Sequence, residues 1–198
     1  MILNYVKSLA KDSLYYGVAT GIRRFFSLFT APIMTRVFSP SDYGVMDLIT
    51  TSIAFATLIF SMGINGGVFR SYYEVTDSER KVLLFSGISA STFILSVFVA
   101  LCIIFTNSIS ILLFETDQYT TVIRIALLQI PIVQLFDHYC TLLRYQKKVK
   151  QFMMISGVQI SLSLFFLLFY VVYLKMGIIG VYLNIITSNM IPLLYLIV

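Results

Sequence analysis

Hydrophobic residues run along this chain in six long and nearly unbroken segments, at 13–37, 43–68, 82–105, 120–143, 152–174 and 178–198. Each segment is close to the roughly 20 residues that an α-helix needs to cross the hydrocarbon core of a bilayer. A transmembrane β-strand would alternate apolar and polar positions over about ten residues. The pattern therefore predicts an all-α, polytopic membrane protein with six transmembrane helices.

Polar residues of the first segment share one helical face. They recur at alternating steps of three and four: Ser13, Gly17, Thr20, Arg24, Ser27 and Ala31. An arginine at the middle of a membrane helix costs about 2.5–3.5 kcal/mol on insertion scales, and the interface is about 15 Å away in either direction. We expect Arg24, and less directly its neighbour Arg23, to line a hydrated cavity and pair with an anion such as phosphate. A locally paired arginine without a role in transport is the alternative.

The second segment repeats this arrangement with Asp47, Thr50, Ala54, Thr57, Ser61 and Asn65. Small and polar residues on one face also let membrane helices pack closely, so cavity lining and packing are equally favoured here. In the fifth segment Ser156, Gln159 and Ser163 share a face in the same way.

The fourth segment carries a polar arc of Gln134, Asp137, His138 and Thr141. Ionisable residues inside a membrane are candidates for function, and Asp137 and His138 could couple proton movement. Asp47 is a third candidate for ion coupling. The alternative is that Asp137 and His138 form a structural pair, because both lie within two helical turns of the basic connection that begins at Arg144.

Charge distribution predicts orientation. Only 12% of the 198 residues are charged and 59% are hydrophobic, and the basic residues cluster before the first segment and in alternate connections, at 70–81 and 144–150. Positive residues favour the cytoplasmic side, so we expect both chain ends and these two connections to be cytoplasmic.

The net charge of +5 is a topology signal and does not indicate a nucleic-acid partner. Catalytic and metal-binding motifs are lacking, and we expect no enzyme activity, cofactor or metal site.

Residues 35–49 (TRVFSPSDYGVMDLI) contain a basic residue, a Ser-Pro turn suited to capping the next helix, and Tyr43-Gly44. Further on, FRSYYE at 69–74 and Glu-Arg-Lys at 79–81 follow. In order and spacing, these motifs resemble the polysaccharide-flippase branch of the multidrug/oligosaccharidyl-lipid/polysaccharide exporter superfamily.

The resemblance implies two six-helix lobes around a central cavity, with residues 1–198 as the N-terminal lobe and a C-terminal lobe as its partner. The abrupt end inside an apolar run fits that interpretation. It also implies an undecaprenyl-diphosphate-linked oligosaccharide as substrate, a bacterial inner membrane, and a polysaccharide polymerase as candidate partner. The substrate path would then be lined by Arg23, Arg24, Thr20, Ser27, Thr57, Asn65, Gln134 and Gln159.

Two other functions stay open from the sequence. A cation-coupled small-molecule antiporter of the same superfamily would need acidic cavity residues, whereas the mid-depth charge of the first segment is basic. A membrane scaffold or gene fragment without transport activity is the third possibility.

Overall fold

The computed structural model describes residues 17, 21, 28–60, 64–71 and 74–197, with side chains at all of these except 64, 65, 69, 77, 78, 81 and 197. No β-strand occurs in this described part of the chain. The helices are α1 (described over 28–37), α2 (Pro40–Phe60), α3 (Ile64–Ser71), α4 (Asp77–Ile104), α5 (Thr106–Phe114), α6 (Thr120–Tyr145), α7 (Val149–Leu167) and α8 (Gly177–Ile197). A π-helical stretch, Leu168–Tyr173, continues α7.

Within the described residues, five helices are long and apolar enough to cross a membrane, namely α2, α4, α6, α7 with its π-helical extension, and α8. The prediction of an all-α multi-pass membrane protein is confirmed. The predicted second span, 43–68, covers most of α2 and part of α3, with 61–63 outside the described residues. The predicted first span, 13–37, is described at 17, 21 and 28–37, all of which are helical.

The connection at 106–119, which lies between the third and fourth predicted spans, contains α5. This nine-residue helix ends at Phe114, and the backbone of the next residue, Glu115, is left-handed (φ 57°). Its buried Ser110 donates a hydrogen bond from Oγ to the carbonyl of Thr116 at 2.7 Å. Arg124 of α6 donates from Nε to Thr106 Oγ1 at 3.2 Å. These contacts stabilise α5, because an isolated helix of nine residues is only marginally stable.

Helix α6 is the centre of the bundle and packs against α2, α4, α5, α7 and α8. Its residues Ile123, Ala126 and Ile130 meet Leu95 of α4 and Tyr182 of α8 in one buried cluster. A second cluster joins α6 to α7 and α8. Because lipid tails are as apolar as these side chains, close van der Waals packing and interhelical hydrogen bonds hold the helices together.

The two ends of the bundle differ in charge. Leu84 packs with Val68, Leu142 and Tyr145, which brings the end of α3, the start of α4 and the end of α6 together. The basic connections at 70–81 and 144–150 therefore lie at the same end. At the opposite end, a cluster around Phe38 joins the α1–α2 turn to the α7–α8 connection.

Candidate functional site

The polar face predicted on α2 is largely exposed on the surface of the bundle. Asp47, Thr50 and Ala54 are exposed, and Thr57 is half-buried, donating from Oγ1 to the Ile53 carbonyl at 2.7 Å. The opposite face of α2 packs inward through its buried residues Val45, Met46 and Ile49. The structure therefore turns this polar row outward, away from α6.

The exposed surfaces of α4 and α5 are apolar, in contrast to the exposed polar face of α2. Phe85 and Phe93 of α4 are 77% and 70% exposed, and Leu112 of α5 is 82% exposed. Phe55 of α2, next to Ala54, is 64% exposed. These residues suit contact with lipid, whereas a carboxylate and hydroxyl groups do not. The α2 face defined by Asp47, Thr50, Ala54 and Thr57, hereafter the polar face of α2, is the candidate site.

Local contacts fix the position of α2. Asp42 accepts hydrogen bonds from the Ser39 backbone N–H at 2.9 Å and from its hydroxyl at 2.7 Å. The Asp42 N–H donates to Ser39 Oγ at 3.3 Å, so the predicted cap is confirmed and Pro40 takes the first helical position. Tyr182 of α8 donates from its hydroxyl to the Met46 carbonyl at 3.4 Å and lies within hydrogen-bonding reach of Thr50.

Four predicted substrate residues, Arg23, Arg24, Thr20 and Ser27, lie outside the described residues. Asn65 belongs to α3, but its side chain is also outside the description. Their roles stay predictions. The described end of the same segment does reach the bundle, because Met34 of α1 packs against the cluster that contains Met46 of α2.

The predicted arc on α6 is divided between different surroundings. Asp137 is exposed, whereas His138 is buried and hydrogen-bonded to Ser91 of α4. Gln134 is half-buried, and its Nε2 atom is buried without a hydrogen-bond partner among the described residues. Arg144 donates from Nη2 to Thr141 Oγ1 at 2.8 Å and also lies over the Phe152 ring. The sequence interpretation missed Ser91, whose only signal is its place in the small-residue stretch SGISAS at 86–91.

The polar residues of α7 and α8 form an internal seam. Asn184 of α8 donates from Nδ2 to Ser163 Oγ of α7 at 3.4 Å. Ser156 and Ser188 are buried, and Gln159 is half-buried on α7. This contact favours packing for Ser163, one of the two interpretations that its spacing allowed. The structure thus separates an outward polar face on α2 from polar groups enclosed between α7 and α8.

Comparisons with known proteins identify the family. The chain is 24% identical over 117 residues to a protein of Escherichia coli (strain K12) named "Putative O-antigen transporter". That alignment covers 59% of this chain and 28% of the relative, so the chain spans well under two thirds of the relative's length. No solved structure matches. Residues 9–198 match the family described as "Polysaccharide biosynthesis protein", and the chain therefore belongs to that family.

Proposed function

We propose that the protein moves an undecaprenyl-diphosphate-linked oligosaccharide across a bacterial inner membrane, from the cytoplasmic to the outer leaflet. The chain described above contributes one helical lobe, and a second lobe completes the path. Membership of the polysaccharide biosynthesis family, the transporter name of the Escherichia coli relative and the bundle of membrane-length helices support this proposal.

The observation that carries the proposal is the polar face of α2. A charged side chain exposed to hydrocarbon at mid-span costs about 2.5–3.5 kcal/mol on insertion scales, and Asp47 is exposed within the span Pro40–Phe60. A water-filled cleft beside α2 removes this cost. It also supplies hydroxyl and carboxylate groups that hydrogen-bond to sugar hydroxyls, as Thr50 and Thr57 would.

Arg23 and Arg24 hold the diphosphate in this proposal. Guanidinium groups stay protonated and bind phosphate oxygens through two parallel hydrogen bonds. Thr20 and Ser27 share the helical face of Arg24, and Gln134, Gln159 and Asn65 extend the polar lining towards the glycan.

Cysteine labelling of adjacent α2 residues tests the hydrated cleft. In full-length protein with Cys102 and Cys140 replaced by alanine, Ala54→Cys should react with a hydrophilic methanethiosulfonate reagent, whereas Phe55→Cys should not. Both positions are exposed, so exposure alone cannot explain a difference between them. Protection of Ala54→Cys by added lipid-linked oligosaccharide would support substrate binding; equal rates at the two positions would contradict the cleft.

Substitution of Arg24 tests the diphosphate contact. A charge-assisted hydrogen-bonded pair contributes about 1.5–3 kcal/mol, so Arg24→Ala should weaken binding about ten- to a hundredfold and abolish glycan display at normal membrane abundance. Arg36→Ala, at the exposed end of α1, is the matched control. Normal display in Arg24→Ala cells would defeat this assignment.

A cation-coupled small-molecule antiporter is a second candidate, favoured by the exposure of Asp47 within a predicted span. Such a protein would depend on the Asp47 charge to bind its cation. Asp47→Asn should then abolish antiport of a cationic dye, whereas glycan export that tolerates the same change would favour the first proposal.

A further inference from the structure

A cavity of about 460 Å³ lies between the α1–α2 turn and the α7–α8 connection, at the end of the bundle away from the basic connections at 70–81 and 144–150. Its volume is within the usual range for small-molecule sites, about 300–1,000 Å³. Two charged residues line it, Asp42 in the first turn of α2 and Lys175 in the α7–α8 connection. The rest of the lining is apolar: Val37, Phe38, Val171, Val172, Gly177 and Ile178.

This cavity lies where the membrane spans end. The span of α2 begins at Pro40, the span that contains α7 ends at Tyr173, and the span of α8 begins at Gly177. A helix of about 20 apolar residues has its ends at the boundary between hydrocarbon and headgroups. The position therefore favours a ligand with a charged head and apolar chains over a wholly polar or wholly apolar one.

The α7–α8 side of the cavity suits an anion. Lys175 is exposed, and its ammonium group has no hydrogen-bond or ion-pair partner in the part of the chain that the structure describes. Beside it, α8 begins at Gly177, and the first N–H groups of a helix lack intrahelical acceptors and carry partial positive charge. A Cβ atom placed on Gly177 would meet open space, so a phosphate group can approach this helix end.

The α2 side suits a cation. Asp42 is half-buried, and one of its carboxylate oxygens, Oδ2, accepts both hydrogen bonds from Ser39. These bonds hold the carboxylate in place. Its other oxygen, Oδ1, accepts no hydrogen bond from a described residue, and Asp42 is not ion-paired with Lys175. A ligand ammonium group can therefore donate to Oδ1.

We propose that this cavity binds phosphatidylethanolamine. Its phosphate contacts Lys175 and the first turn of α8, its ammonium group donates to Asp42 Oδ1, and its glycerol and acyl chains lie against the apolar wall. The charges of the site and of this headgroup are complementary. Phosphatidylglycerol supplies the phosphate but leaves Asp42 without a cation, and the trimethylammonium group of phosphatidylcholine has no N–H to donate.

The bound lipid contacts two connections that are more than 130 residues apart in the sequence. Because it binds only the folded arrangement of these connections, it stabilises that arrangement. Lipid binding at this site does not depend on the glycan transport proposed above.

Native mass spectrometry of the full-length protein tests the proposal, with phosphatidylethanolamine, phosphatidylglycerol and phosphatidylcholine of identical acyl chains as probes. The wild-type protein should bind phosphatidylethanolamine most tightly. Lys175→Gln should weaken the binding of phosphatidylethanolamine and phosphatidylglycerol about fivefold each, the usual effect of a partly exposed charge pair. Asp42→Asn keeps an oxygen that accepts from Ser39; it should weaken phosphatidylethanolamine about fivefold and leave phosphatidylglycerol unchanged or tighter.

Arg36→Gln and Asp117→Asn are the matched controls, because both residues are exposed at the same end of the bundle and neither lines the cavity. They should leave all three affinities unchanged. Glycerophosphoethanolamine, which has the headgroup but no acyl chains, should not compete; competition at equal concentration would replace the lipid with a soluble phosphoethanolamine compound and overturn the proposal. Equal binding of the three lipids by the wild-type protein would also overturn it, as would an unchanged affinity in Lys175→Gln or an equal loss of both lipids in Asp42→Asn. The first two of these results decide the question even if Asp42→Asn does not fold.

Discussion

Glu79 and Thr76 fix the start of α4 just before its apolar window, Val82–Ile104. The Glu79 carboxylate accepts a hydrogen bond from the Thr76 hydroxyl at 2.6 Å and from its backbone N–H at 3.1 Å. These bonds, the hydroxyl first, lower the pKa of Glu79 below its usual 4.5. A lowered pKa means that the folded helix prefers the ionised carboxylate.

The contribution of Glu79 is therefore fully present above its unfolded pKa of 4.5 and is lost as the pH falls through the lower folded value. We expect hydrogen-exchange protection in the first turn of α4, corrected for intrinsic rates, to be constant near neutral pH and to fall in acid. Glu79→Gln keeps a capping amide and should remove the pH dependence. An unchanged acid response in that variant would show that another group titrates.

Residue periodicity predicted some polar contacts and not others. The Ser39–Asp42 cap followed from local sequence, since both partners lie within one turn. The arc from Gln134 to His138 was predicted on α6, but its partner Ser91 is 47 residues away. A serine within an apolar segment usually bonds to its own helix, so nothing local indicated that it also meets a histidine.

At the element scale, α8 approaches the π-helical end of α7 through a buried glycine. A Cβ atom at Gly180 would lie 3.1 Å from the Tyr170 carbonyl oxygen. That oxygen already accepts a bond from the Met176 N–H at 3.0 Å, so it has little freedom to move. The close approach explains why α8 needs glycine at this position.

Gly180→Ala should destabilise the bundle by about 1–3 kcal/mol, the usual range for overpacking. Gly157→Ala is the matched control on α7, because nothing lies within 4 Å of its added Cβ; it should be neutral or stabilise by up to about 1 kcal/mol. Unfolding in mixed micelles with increasing SDS measures both. Equal stability of the two variants would contradict the packing described for α8.

At the contact between α3 and α4, a second substitution can relieve the overlap that a larger residue would cause. A Cβ atom at Gly87 would overlap the side chain of Val68, and a side chain can be shortened where a carbonyl cannot. Gly87→Ala should therefore be destabilising alone and largely rescued by Val68→Ala in the double variant. A double-mutant cycle in the same SDS titration measures this coupling; additive effects would mean that the two residues do not touch.

Long apolar segments predicted most helices well, because membrane helices satisfy their backbone internally and must be continuous in hydrocarbon. The misses have local reasons. Helix α5 is short and is held by contacts to Thr116 and Arg124, which no periodicity shows. The π-helical stretch Leu168–Tyr173 accompanies the packing of Tyr170 on Gly180, so it depends on tertiary structure.

At the scale of the whole molecule, the bundle separates charge between its ends. The basic connections at 70–81 and 144–150 meet through the cluster around Leu84, and the two were independently expected to be cytoplasmic from their charge. At the opposite end, the α1–α2 turn packs against the α7–α8 connection. A single orientation in the membrane therefore satisfies every described connection.

Two exposed glutamines at opposite ends of α6, Gln118 and Gln146, allow this orientation to be measured without changing any charge. With Cys102 and Cys140 replaced by alanine, Gln146→Cys should react with a membrane-impermeant maleimide only in inside-out vesicles, and Gln118→Cys only in intact spheroplasts. A permeant maleimide should label both variants equally, which controls for expression and access. The reverse pattern would place the basic end outside and contradict the charge argument, whereas labelling of both from one side would contradict the bundle, because α6 would then not cross the membrane.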